Sequence, residues 1–331
     1  MGDVAMTVPV LKAFSLQYPN VKITVVSRPF FKPFFDDIEN VTFFAIDLKE
    51  RHKGFLGLLR LFSDLRKLNI DAVADLHNVL RSKVVRTLFA LTGKKVAATD
   101  KGRQDKKALT KLEIKTISPT KSMFARHAET FEKLGFPLNL DNPIFPESAI
   151  LTKEILAITG KKEGNWIGIA PFAQYESKVY PIDLMQEVID ELAKNAENKI
   201  YLFGGGEEEI KKLNQLKKTH ENVLVLAGKT KLKEELAIIS NLNVMLSMDS
   251  GNAHIAAMLG VKVITLWGAT HPFSGFKPFN QPDDFCITSD RKQYPFLPTS
   301  VYGNKKVEGY ENAMRSILPE TVIDKIKKEL N

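Results

Sequence analysis

A chain of 331 residues has room for two domains, each with a core of its own. Its 44% apolar and 26% charged residues are ordinary for a globular protein, and no apolar stretch approaches the roughly 18 residues that cross a bilayer. One cysteine, Cys286, excludes an internal disulfide and a cysteine-built zinc cluster, which fits a reducing cytoplasm, and no signal peptide follows Met1. The net charge of +8 is lodged in residues 1–150, which hold 24 basic against 16 acidic side chains, while residues 151–331 hold 23 of each. That basic half either faces an anionic lipid, an anionic glycolipid or nucleic acid, or is simply a solvated surface. Nucleic acid is the poorest of these, because no stacking aromatic motif accompanies the charge.

The sequence opens as Met1-Gly2-Asp3, on a loop and a helix at 4–15. A doubly wound domain normally starts with a strand, so the expectation is that this strand is missing, through a late start codon or trimming. Strands at 21–26, 42–46, 72–75 and 95–98 then alternate with helices at 55–68, 79–91 and 124–134. The breakers Pro137, Asn139, Asp141, Asn142, Pro143 and Pro146 mark a linker, dividing the chain into domains at 1–150 and 151–331. A second series has strands at 166–170, 199–203, 223–226, 244–246 and 261–266 with helices between. A closing helix at 319–330 turns Val322, Ile323, Ile326 and Leu330 to one side. Two consecutive βα series predict an α/β protein with two doubly wound Rossmann-like domains facing each other across a cleft.

The most informative segment is Met248-Asp249-Ser250-Gly251-Asn252-Ala253-His254. It lies between an apolar strand and a helical run, so its backbone N–H groups and the positive end of the helix dipole aim at one point, where a phosphate binds. His254, one turn further in, reaches the same point. Lys178 lies beyond the strand at 166–170 and either adds a mobile charge to a diphosphate or is an ordinary surface lysine. Glu207, Glu208 and Glu209 are either a solvated first helical turn or hold a ribose hydroxyl. Asp3 reads more readily as a helix N-cap than as a general base. His77, Asn78 and Arg81, with Arg126 and His127, are candidates for an anionic acceptor, although a lone His or Arg is more often structural.

Other motifs fail on spacing. A P-loop around Gly228-Lys229-Thr230 requires glycine where Val223 stands, and a dinucleotide fingerprint from Gly204 requires glycine where Glu209 stands. No two aspartates lie two apart, so the Asp-x-Asp metal clamp of many sugar transferases is absent. No metal and no cofactor is expected.

Several segments together resemble the ADP-heptose:lipopolysaccharide heptosyltransferases of glycosyltransferase family 9. They are Gly2-Asp3-Val4 with Thr7-Val8-Pro9, Asp75-Leu76-His77 with Leu80-Arg81-Ser82, Lys178 before Pro181, Leu226 to Thr230, Asp249 to His254, and Gly268-Ala269-Thr270-His271-Pro272. The resemblance covers nearly the whole chain and implies a bacterial GT-B enzyme of lipopolysaccharide biosynthesis. Its reaction is inverting transfer of a heptose from ADP-heptose to an anionic lipopolysaccharide core precursor. By the same likeness Asp3 is the catalytic base. Lys178 and the turn Asp249, Ser250, Gly251 hold the diphosphate, while Thr230 lies near adenine and Glu208 near ribose. Gln174 and His254 also line the donor site, although Ala173 and Gln174 stand where relatives often carry hydroxyl residues. His77, Asn78, Arg81 and Arg126 take the acceptor, on an N-terminal domain peripheral to the inner face of the inner membrane. His271 stands where relatives carry Asp, and residues 281–304 match poorly. The alternatives are a GT-B enzyme using a UDP-sugar and a catalytically silent nucleotide-binding protein.

Overall fold

The structure is a computed structural model describing residues 1–330. It divides into two compact units, one of residues 1, 3–103 and 121–144, the other of residue 2, 104–120 and 145 onward. In the first unit, α1 (Gly2–Ala5) and α2 (Thr7–Gln17) lead into β1 (Ile23–Ser27), β2 (Val41–Ala45), α3 (Gly54–Arg66), β3 (Ala72–Asp75), α4 (Leu80–Leu91) and β4 (Lys95–Ala98). The single helix expected at 4–15 is therefore two. Pro9 has no N–H to donate to the carbonyl of Ala5, so the hydrogen-bond ladder breaks between them. β1 pairs with β2 and β3 with β4, both parallel, and the two pairs are separate sheets with no strand between them among the described residues.

Two clusters hold this unit together. Leu58, Leu61 and Leu65 of α3 meet Phe89 of α4 over Val73 and Val96. On the other side α2 packs on α6 (Met123–Glu132), with the Phe14 ring 4.8 Å from Phe131.

Between β4 and α6, the helix α5 (Arg103–Leu109) starts a segment that leaves the first unit for the second, so the division is not a single cut. The reason is local bonding: Lys115 Nζ donates to the carbonyl of Phe296 at 2.7 Å, Arg291 donates to that of Lys115 at 2.6 Å, and Thr120 N–H to that of Phe273 at 2.8 Å.

The second unit contains α7 (Lys153–Thr159), β5 (Asn165–Ala170), α8 (Ile182–Ala193), β6 (Asn198–Leu202), α9 (Glu207–Lys217), β7 (Val223–Val225), α10 (Leu232–Ile239), β8 (Val244–Met248), α11 (Gly251–Met258), β9 (Lys262–Trp267), β10 (Cys286–Thr288) and α12 (Pro319–Leu330). Its six strands form one parallel sheet in the order β10-β9-β8-β5-β6-β7. β8 is buried along its whole length, as expected for a central strand covered by helices on both faces. α8 and α12 supply part of that cover through Met185, Val188, Ile189, Val322 and Ile326. The order reverses between β5 and β8, which lie side by side with Ala170 opposite Ser247. Ligands of open α/β sheets bind at such a reversal, beyond the carboxyl ends of the strands.

Candidate active site

The loops at that end of the sheet carry the donor candidates. Lys178 follows β5, Glu208 follows β6, Thr230 follows β7, Asp249 to His254 follow β8, and Thr270 follows β9. Two of these loops meet directly: Lys178 Nζ lies 3.2 Å from Asp249 Oδ2 across 71 residues of sequence. The pair is largely shielded, with side-chain exposures of 12% and 9%. Thr270 Oγ donates to the same carboxylate oxygen at 2.9 Å. Asp249 is thus held by two donors from two other strand ends.

α11 begins immediately after this carboxylate. Its N-cap Ser250 has an extended backbone, and its hydroxyl does not close back on the helix; it lies 3.1 Å from the hydroxyl of Ser247. The first amides of an α-helix have no intrahelical partner, and here no side-chain cap takes them. The turn that carries these amides follows directly on Asp249, the partner of the Lys178 ammonium. His254 is buried in the first turn of α11 at 7% exposure.

Two glycines shape the approach of Lys178. A Cβ on Gly268 would run into the carbonyl oxygen of Ser177, which accepts from Ala269 N–H at 3.0 Å. A Cβ on Gly303 would come within 2.7 Å of Lys178 Cγ, and Ser177 Oγ donates to the Gly303 carbonyl at 2.7 Å. Thr270, Ser177 and Gly303 are contributions that sequence reasoning missed. The Gly268-x-Thr270 spacing at the end of a strand was the available signal for the first.

The nucleoside candidates are less tightly held. Glu208 is exposed in the first turn of α9, while its neighbour Glu209 accepts from Gly205 N–H at 2.8 Å. Gln174 is exposed in the loop after β5. Thr230 Oγ lies 3.3 Å from Glu235 Oε1, and burial raises the pKa of Glu235 against the lowering effect of that hydroxyl. His271 is buried and its Nδ1 accepts from Phe273 N–H at 3.2 Å, so it caps the 3₁₀ turn Pro272–Ser274. A hollow lined by Lys161, Glu197, Lys199 and Glu221 lies at the amino ends of β5–β7, the wrong end of the sheet for this chemistry.

In the first unit, Asp3 is exposed within α1 and makes no capping hydrogen bond among the described residues. His77 has an open face, yet the atoms packed around its ring hold its pKa below the usual imidazole range, against the opposing pull of Asp3. Arg81 is exposed, with no hydrogen bond or ion pair holding it among the described residues.

Asn78 and Arg126 are placed differently. Asn78 has a left-handed backbone (φ 46°); its N–H donates to Asp75 Oδ1 at 2.7 Å and its amide to the Thr99 carbonyl at 2.9 Å. Arg126 is 3% exposed, and its guanidinium donates to Asp100 at 2.9 Å and packs against Gly102. Both serve the architecture of their turns. No cluster of three or more His, Cys, Asp or Glu suited to a metal ion occurs among the described residues.

A parallel sheet that carries a lysine and a helix start without a side-chain cap at its switch point has the chemistry to take a diphosphate. Residues 58–305, well over half of the chain, match glycosyltransferase family 9 (heptosyltransferase), and the protein belongs to that family. Over 99% of its length and 94% of the relative's, it is 23% identical to the lipopolysaccharide core heptosyltransferase OpsX of Haemophilus influenzae. Among solved structures it resembles a family 9 glycosyl transferase from Veillonella parvula (TM-score 0.75, 20% identity, 100% and 94% coverage). It also resembles the E. coli heptosyltransferase WaaC with ADP (TM-score 0.68, 20% identity, 99% and 97% coverage). At that identity these two establish the fold alone, which is GT-B.

Proposed function

We propose that this glycosyltransferase moves a heptose, with inversion, from ADP-heptose to a lipopolysaccharide core precursor. The observation that carries the proposal is the convergence of Lys178, Asp249 and Thr270 at the uncapped start of α11. The ammonium and the amides neutralise the charge that builds on the departing ADP, with no reorganisation at the moment of reaction. ADP in the related WaaC structure and the core-directed activity in the name of OpsX favour this donor and acceptor.

In this reading Asp3 takes the proton of the acceptor hydroxyl as that oxygen attacks the anomeric carbon, and the C–O bond to the diphosphate breaks. Glu208, Thr230 and Gln174 contact the nucleoside end of the donor, and His254 the sugar-diphosphate. His77 and Arg81 meet the anionic acceptor, with Asn78 and Arg126 shaping the loops that carry them. The first unit holds 20 basic against 13 acidic residues, which suits an acceptor embedded in an anionic leaflet and a peripheral position at the inner face of the inner membrane. Among the described residues no helix is long and apolar enough to cross a membrane.

The test is a thermal-shift titration with ADP and UDP beside a transferase assay of the parent and Asp3→Ala. Preferential stabilisation by ADP, with turnover abolished by the substitution, is expected. Preferential stabilisation by UDP overturns the donor; nucleotide binding without turnover in the parent supports a silent nucleotide-binding protein instead.

A further inference from the structure

α3 carries more apolar surface than its own core uses. Gly57, Leu58, Leu61 and Leu65 are buried inward, yet Phe55, Leu56 and Leu59 stand 65%, 68% and 37% exposed. The helical repeat puts residues 55 and 59 on one line with 56 beside them, so these side chains form one continuous tip. In the loop and helix that carry it, residues 47–67 hold Lys49, Arg51, Lys53, Arg60, Arg66 and Lys67 against Asp47, Glu50 and Asp64. Asp64 is already engaged, taking Arg51 bidentately at 2.8 and 2.9 Å.

The tip is also rigid. The carboxylate of Asp47 accepts from the backbone N–H groups of Lys49, Glu50 and Arg51. His52, 3% exposed, accepts from Asp47 N–H at 3.1 Å and reaches Asp64 at 3.3 Å. Gly57 lies so close to the His52 backbone that a Cβ there would collide with it. Loop and helix are one piece.

We infer that the α3 tip docks on the surface of an anionic phospholipid bilayer. Phe55, Leu56 and Leu59 enter the boundary between headgroups and acyl chains, and the surrounding lysines and arginines reach the anionic headgroups. A second copy of this chain fits poorly, because it would set one cationic ring against another. The inference rests on the membrane-embedded acceptor proposed above and assigns the surface that reaches it.

Co-sedimentation of the full chain with phosphatidylglycerol-containing and pure phosphatidylcholine vesicles tests it. The parent is expected to bind the anionic vesicles more strongly, and less so in high salt. Combined Phe55→Ser, Leu56→Ser and Leu59→Ser lowers that binding at least tenfold, and Lys53→Glu with Arg60→Glu lowers it on anionic vesicles only. Each variant is expected to keep the parent's melting temperature and its shift with ADP, which shows that it folds. Parent-like binding by the triple-serine variant overturns the inference. So does a parent that ignores both vesicles, or a parental dimer that the triple variant converts to monomer. Failure of ADP to stabilise any of these proteins strikes the donor reading and leaves the vesicle result standing.

Discussion

Asp249 accepts from both Lys178 and Thr270, and the two bonds have different consequences. Lys178→Ala removes the side-chain cation bonded to Asp249; a loss of about 10²–10³ in kcat is expected, as for removal of a preorganised donor to a charged transition state. Thr270→Val keeps the shape and removes one hydrogen bond, so about 1 kcal/mol of stability should be lost, with a smaller fall in kcat. Steady-state assays beside thermal melts separate these two results.

His271 invites a pH test. Burial, with Arg291 as a lesser cause, lowers its pKa from 6.5 to about 4, and its Nδ1 must stay unprotonated to accept from Phe273. The unfolded chain takes up this proton below about pH 6.5, the folded one only near pH 4. Stability from this site is therefore complete above pH 6.5 and is lost as the pH falls toward 4. The shift bounds the loss at about 3 kcal/mol. Melting temperatures of His271→Asn, which keeps a capping acceptor, should fall less steeply across that window than the parent's. Equal slopes would show that another group sets the acid limb.

At the level of elements, the end of β9 matters as much as the turn after β8. Gly268 lets the loop carrying Ser177 and Lys178 lie against the carboxyl end of β9. Gly268→Ala is expected to cost about 1–3 kcal/mol through overpacking. It should also depress kcat although the residue offers substrate no side chain. Loss of stability with unchanged kcat would mean that the loop retreats without moving Lys178.

The strands of the second unit were legible because each is a short apolar run bounded by breakers, as in β5 and β8. β10 escaped notice because its three residues, Cys286-Ile287-Thr288, are too few to show a period. The helix at the start of the chain was read as one because its apolar residues continue past Met6; the absent N–H of Pro9 divides it.

For the whole molecule, a nucleotide that binds only the folded state raises stability by mass action. ADP at a hundred times its Kd should add about 2.7 kcal/mol, a shift of several degrees in Tm, and Lys178→Ala should shrink that shift. A shift equal in parent and variant would place the nucleotide elsewhere.

The sequence by itself determined the alternation of strands and helices, the small polar turn before α11 and the basic bias of the first half, because periodicity, turn chemistry and charge are local or additive properties. The tertiary structure alone decided that Lys178 reaches Asp249, that Thr270 bonds the same carboxylate and Gly303 lies against the Lys178 side chain, that Arg126 is consumed by Asp100, and that Gln104–Thr120 packs with the second unit. Each of these depends on which distant segments share a buried surface, and local periodicity carries no record of that choice.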